Sequence, residues 1–386
     1  MTRRADALRM SEFFDWSVLF NALTLGAVYA LIAVGYTMVY GIIQLINFAH
    51  GEVFMIGTFA GLLLFAQLSV PLSLAILLAM LVCLMLGVVI DFTAYLPLRR
   101  KHPLADTISI AGLTGFCGLA IAYFLLARAE QSQAAASGLR IALGVLLAAI
   151  PLALFALAIC GLYGKLGRPK ASVTSDRLSA LITAIGMSLS LQTIAQLVWG
   201  ADFYVFPPFA KESLAHTVFE SDVLTLGSAT LKGKEFVIWV VTAALMVGLN
   251  GLVHRTKIGK AMRACAQDQK TAALMGVNVD YVIAVTFMIG SALAAIAGIL
   301  FAIKVGGNIY FRMGYYPGVI AFAAAVLGGI GSIRGAVVGG LIIGATQAVA
   351  QVKWAEYDFA FAFGLMILVI LFRPWGIFGK PGAARA

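Results

Sequence analysis

Two polar stretches interrupt an otherwise apolar chain of 386 residues, and they hold most of the side chains able to meet a solute or a partner. The first, INFAHGE at residues 46–52, sets Asn47, His50, Gly51 and Glu52 between apolar runs. A continuous helix there would bury unpaired polar groups, whereas a broken one could line a water-filled path, where irregular backbone is tolerated. Asn47, His50 and Glu52 are therefore candidates to flank a translocation route or to brace its inner end, with an ordinary interfacial turn as the plain alternative. The second stretch, GKAMRACAQDQKTAALMGVNVD at 259–280, places Lys260, Arg263, Gln267 and Lys270 on one side of a helical wheel. The other side gathers Ala261, Ala264, Cys265, Asp268, Ala272 and Met275, nearly all small. Alanine favours helix, and Gly276 sits where a left-handed cap would end it. Small side chains permit close backbone approach, so this face is expected to seat in a groove on another protein. A helix lying on anionic lipid is the competing reading. Its usual stripe of large apolar residues is missing here, since only Met262, Leu274 and Met275 qualify.

Enzyme chemistry lacks material. The four histidines, His50, His102, His216 and His254, are far apart, and neither HExxH nor GxSxG occurs. The Gly-Lys pairs at 164–165, 233–234, 259–260 and 379–380 are followed by Leu, Glu, Ala and Pro, so none forms a Walker A loop. Cys83, Cys117, Cys160 and Cys265 are scattered and read as small buried hydrophobes, not as a disulfide or thiolate-metal framework. An ion-coupled carrier would place ionisable groups at mid-membrane. Here the seventeen acids lie in loops or near span ends, with Glu52 and Asp91 closest to the interior. That weakens the ion-coupled reading and leaves coordination by backbone carbonyls open.

The elements that must position these stretches are membrane spans. Hydrophobic residues make up 62% of the chain and charged ones 11%, against about 25% charged in soluble domains. Apolar runs of spanning length fall at 18–43, 52–68, 72–95, 105–127, 140–163, 178–199, 236–253, 282–304, 317–332, 335–352 and 358–373. The expected fold is all-α and polytopic, a single transmembrane domain over 1–386 with about 10–11 transmembrane helices. Gly331, Gly335 and Gly339 recur every four residues, and Gly340 with Gly344 repeats the spacing, as suits close helix packing in lipid. With 254–281 and the C-terminus inside, sixteen Lys and Arg face the cytoplasm and eight lie in the alternate loops. Eleven spans then leave the N-terminus outside despite Arg3, Arg4 and Arg9. Two repairs are open: residues 44–68 dip without crossing, or translation starts at Met10.

Several of these stretches carry a family likeness. RACAQDQKTAALMGVNVD resembles the cytoplasmic coupling segment of LivH-type permeases, the membrane subunits of ABC importers for branched-chain amino acids. YALIAVGYTMVYGIIQLINFAHGEVFMIG (29–57), LSALITAIGMSLSLQ (178–192) and AFAAAVLGGIGSIRGAVVGGLIIG (321–344) resemble the same family. The resemblance implies that Gly259, Arg263, Ala264, Asp268, Ala272 and Gly276 belong to a segment gripped by a separate ATPase. It further implies two such ATPase subunits, a second related permease, a periplasmic amino-acid-binding protein, and residence in a bacterial inner membrane. ATP would be used by those partners. No cofactor is expected on this chain, and no nucleic acid. Urea and short-amide permeases of the same fold are the close runner-up. Two departures stand out: about seventy extra residues within 99–175, holding the runs 105–127 and 140–163, and Leu96 where relatives commonly show arginine.

Overall fold

The computed structural model describes residues 15–96, 177–209, 214–227 and 229–379. The runs 105–127 and 140–163, Cys117, Cys160 and the start at Met1 or Met10 lie outside the described residues. The other nine expected spans are helices, eight of them long and apolar enough to cross a bilayer. In order they are α1 (Trp16–Ile43), α2 (His50–Leu62), α3 (Leu72–Ile90) and α4 (Arg177–Trp199). π-helical turns at Leu63–Gln67 and Asp91–Tyr95 prolong α2 and α3. After a short α5 (Leu214–Glu220), β1 (Asp222–Leu226) and β2 (Ala229–Lys232) form an antiparallel hairpin. Then come α6 (Gly233–Arg255), α7 (Lys257–Gln267), α8 (Gln269–Leu274), α9 (Val279–Val305), α10 (Tyr315–Gly328), α11 (Ile333–Lys353) and α12 (Asp358–Phe372).

α1 is the central mast. Its 28 residues run about 42 Å, more than the ~30 Å hydrocarbon layer, and every residue from Thr24 to Val39 is buried. A helix apolar on all sides is one enclosed on all sides. α11 makes the most extensive contact with it. A Cβ on Gly340 would overlap the backbone of Ala30, and one on Gly344 the backbone of Gly26. Gly335 and Gly339 approach Gly328 and Ala324 of α10 in the same way. Lipid offers no hydrophobic drive for helix association, so backbone-close dispersion contact must supply the cohesion. Gly331 departs from the expected packing role. Its φ is +93° with open space at its Cβ position, so it makes the turn between α10 and α11.

α9 fills the opposite flank, meeting α2 at Gly57 and Gly298 and α3 at Gly87. Thr24, Thr58 and Thr286 donate to carbonyls four residues back, which satisfies their hydroxyls inside their own helices. Leu96 packs with Val88, Phe92 and Ala284, as an apolar residue should.

The bundle has two distinct ends. At one, Gln269 of α8 donates to the Ile42 carbonyl, and residues 377–378 bond back to Leu327 and Gly328. At the other, Lys304 pairs with Glu235 at 2.6 Å, Tyr204 bridges Ile309, and Phe65 stacks on Phe206. Residues 44–68 run from the first end to the second, against the dip that was one of the two open repairs. The start of α1 therefore lies at the end opposite α7 and α8. α10 is a half-helix: its 14 residues span about 21 Å, too short to cross. It begins inside the bundle, where Gly314 meets Gly51, and ends toward Gly41. α4, α6 and α12 are peripheral, and α12 buries only Ala362.

Candidate functional site

Residues 44–49 break the helical path between α1 and α2. Gln44 closes α1 in the left-handed conformation at φ 58°, and the chain then climbs back along α1 to His50. The His50 ring lies against Gly35, whose Cα is eight residues before Ile43, about 12 Å inside the end of α1. Tyr36 meets that ring edge-on at 4.7 Å between centroids. Only glycine fits at position 35, because a Cβ there would fall within the imidazole. Asn47 is buried and accepts from the Tyr95 hydroxyl at 3.2 Å. Gly51 crosses Gly314 and Gly318, so that two helix starts abut in the bundle interior.

Glu52 lies in the first turn of α2, where the helix dipole favours a negative charge, and is only 1% exposed. Its Oε1 accepts from Ser188 Oγ at 3.1 Å and from Gln192 Nε2 at 2.8 Å, one turn apart on α4. Its Oε2 receives no donor among the described residues. The carboxylate lines a cleft of about 120 Å³ between α2, α4 and α10. Ser188 and Gln192 complete the polar side, and Phe48, Ile185, Leu189 and Val319 form the apolar walls. A smaller hollow shares Tyr36 with it and lies nearer the Ile42 end, against Tyr40, Ile46 and Phe322. Of the expected path residues, the structure brings Gly51 and Glu52 to the cleft. His50 packs behind them and Asn47 sits toward the Ile42 end. Glu52 and Asp91, the acids expected nearest the interior, are fully enclosed. Ser188 and Gln192 were missed as site residues, although polar side chains four apart inside a span were a readable signal.

The second polar stretch is two helices and not the expected one. Thr256 caps α7 by accepting from the Gly259 amide at 3.0 Å. The chain then breaks at Asp268 (φ −156°, ψ 113°), whose carboxylate caps α8 by accepting from the Lys270 amide at 2.8 Å and from the Thr271 hydroxyl. The Thr271 hydroxyl, with the Lys270 amide, holds the Asp268 carboxyl below the usual range. Gly276, at φ +88°, ends α8 as expected: its amide bonds to Ala273 and that of Val277 to Ala272. The direction of the small-residue face is corrected. Gly259, Met262, Cys265 and Ala272 are buried against this chain's own α1, α6 and α9, and Ala261 and Ala264 are half-buried. Gly259 is needed where α7 crosses the last carbonyls of α6. Burial pushes the Cys265 thiol up to about 11. Outward face Lys260, Arg263, Gln267, Asp268 and Lys270, with Leu274 86% and Met275 81% exposed at the tip. Arg263 also donates to the Val253 carbonyl, and Gln269 ties α8 to the end of α1. A push on the tip would therefore reach the central mast directly.

Comparison with known proteins bears on both stretches. A family model described as branched-chain amino acid transport system / permease component matches residues 18–111 and 107–370. The high-affinity branched-chain amino acid transport system permease protein LivH of Escherichia coli K12 is 38% identical over 375 residues, 96% of this chain and 98% of that protein. BraD of Pseudomonas aeruginosa, described in the same words, is 36% identical over 379 residues with the same coverage. LivM of Escherichia coli K12, a permease protein of the same kind of system, is 26% identical over 123 residues, 32% of this chain and 29% of that protein. No solved structure matches the chain.

Proposed function

We infer the work of this chain from one premise: it belongs to the family of permease components of branched-chain amino acid transport systems. It is a multi-pass membrane protein and a transport permease, not an enzyme. We propose that it is the membrane-spanning subunit of an ATP-driven ABC importer carrying leucine, isoleucine, valine or a similar aliphatic amino acid into the cytoplasm. Two ATPase subunits hydrolyse the ATP, a periplasmic binding protein delivers the substrate, and this chain itself holds no cofactor. A second, related permease completes the pore, a reading supported by the likeness to both LivH and LivM. The membrane is the inner membrane of a bacterium, with α7, α8 and the C-terminus on the cytoplasmic side.

The observation that carries the ATP-driven reading is the capped two-helix unit between α6 and α9. It presents Leu274 and Met275 outward and is hydrogen-bonded to the end of α1. An apolar tip on a polar projection suits the cleft of a cytoplasmic motor better than water. Arg263, Asp268 and Gly276 shape that projection, while Gly259, Ala264 and Ala272 seat it on the bundle. On the transport side, Asn47, His50, Gly51 and Glu52 flank the route through the Glu52 cleft.

Uptake of labelled leucine and of urea into proteoliposomes holding the whole complex tests this. Leucine uptake that requires ATP, and that fails with Leu274→Glu and Met275→Glu together, is the expected result. Uptake driven by a proton or sodium gradient without ATP would overturn it, and urea uptake in preference to leucine would move the substrate to the short-amide class.

A further inference from the structure

The Glu52 cleft combines three features that the import reading alone does not require. A carboxylate oxygen, Oε2, is buried without a donor among the described residues, although its twin Oε1 has two. Among the described residues no Lys or Arg is in ion-pair contact with it. The rest of the wall is aliphatic and aromatic, and the space between is open.

We propose that this cleft is a binding station inside the membrane for the ammonium group of the amino acid in transit, with the aliphatic side chain lying between Ile185, Leu189 and Val319. The proposal rests on the amino-acid reading above and says which end of the substrate the permease itself holds.

The chemistry follows from what each group lacks. An ionised carboxylate offers acceptor positions on both oxygens, and leaving one unpaired in an apolar setting is costly. Ser188 and Gln192 fix the carboxylate plane from the α4 side, on the wall of the cleft that Glu52 lines. An ammonium is the donor that answers an ionised carboxylate with both hydrogen bonds and charge. Gly314 and Gly318 carry no side chain where they pass Gly51, so α10 meets α2 at backbone distance beside the cleft. A carboxylic acid without an amine brings no cation to answer Glu52. One strong contact on an otherwise apolar wall holds the substrate briefly without trapping it.

The test reads the cleft directly. Leu189, 58% exposed on the wall, is replaced by cysteine in the assembled transporter, with ATP and the binding protein withheld. Alkylation of that thiol by a water-soluble maleimide is followed by mass spectrometry at that site. Leucine and leucinamide, which carry the ammonium, are expected to slow labelling, while 4-methylpentanoate and sodium chloride are not. Glu52→Gln, nearly the same shape, is expected to raise the half-protecting concentration of leucine about tenfold or more, the worth of a charged hydrogen bond. Equal protection by 4-methylpentanoate, protection untouched by Glu52→Gln, or no protection by leucine would overturn the station. The ligand series on Leu189→Cys alone decides the matter should Glu52→Gln fail to assemble. ATP-driven leucine uptake by the unmodified complex separates the two ideas: uptake without protection sinks only the station, and absence of uptake sinks the import reading.

Discussion

The two polar interruptions of this chain fold in opposite directions. Residues 44–52 turn Asn47, His50 and Glu52 inward until each is at most 3% exposed. Residues 256–278 turn Lys260, Arg263, Asp268 and Lys270 outward and bury alanine, cysteine and methionine instead. The first stretch is roofed by α4, α9 and α10, which arrive from far along the chain. Among the described residues the second packs chiefly on its flanking helices and the end of α1. A polar group inside the bundle must find a protein partner, while one at the end of the bundle is satisfied by water. Local polarity therefore marks where a chain does something unusual, and the surrounding packing decides which way it faces.

Substitution can break this contrast, and the largest effect belongs at the inward stretch. Gly51→Val forces a branched side chain into the Gly314 carbonyl. Overpacking of that kind costs about 1–3 kcal/mol or more, so yield and thermal stability in detergent should fall sharply. Wild-type behaviour would mean that the two helix starts do not meet. Next is Gln192→Leu, which strips one donor from Glu52. Losing a hydrogen bond to a charged group, about 1.5–3 kcal/mol, should cut leucine uptake by about tenfold or more with assembly intact.

The outward stretch should respond more gently. Gly276→Ala puts a side chain at φ +88° in open space, a penalty of about 1–2 kcal/mol confined to the end of α8. Faster amide exchange across 269–274, with total yield unchanged, would report it. Asp268 gives the pH dependence. Its carboxyl is held down chiefly by the Thr271 hydroxyl, so the cap is fully present above the unfolded carboxyl range and is lost as pH falls through the lowered folded value. Protection across α8, taken relative to the intrinsic exchange rate at each pH, should thus stay level between neutral and mildly acidic pH and fall only in stronger acid. Smallest of all is the reactivity of Cys265, whose buried, raised thiol should alkylate slowly in the resting protein. Rapid labelling would show α7 lifting from the bundle.

Much of the fold was legible in the residues. Nine of the expected runs match helices, because spanning a bilayer demands about twenty apolar residues whatever they pack against. The glycine rhythm of 335–344 also reads correctly, since one turn of helix separates residues on one face. Gly331 breaks the rhythm because it lies in a turn, and rhythm alone does not register where a helix stops. The helical wheel drawn through 259–275 failed at Asp268. An aspartate can sit on a helix or cap the next one, and its side-chain bonds to Lys270 and Thr271 decide for the cap. Ser188 and Gln192 escaped notice because their partner, Glu52, lies more than 130 positions away.

From composition and order alone come the membrane, the family and the position of both polar stretches, since each depends on properties local to a few dozen residues. Which groups face inward, that α10 is too short to cross, and that Glu52 keeps one oxygen without a donor among the described residues depend instead on helices distant in the chain meeting at glycine contacts. Those meetings are settled by shape at close range, and shape belongs to the assembled bundle.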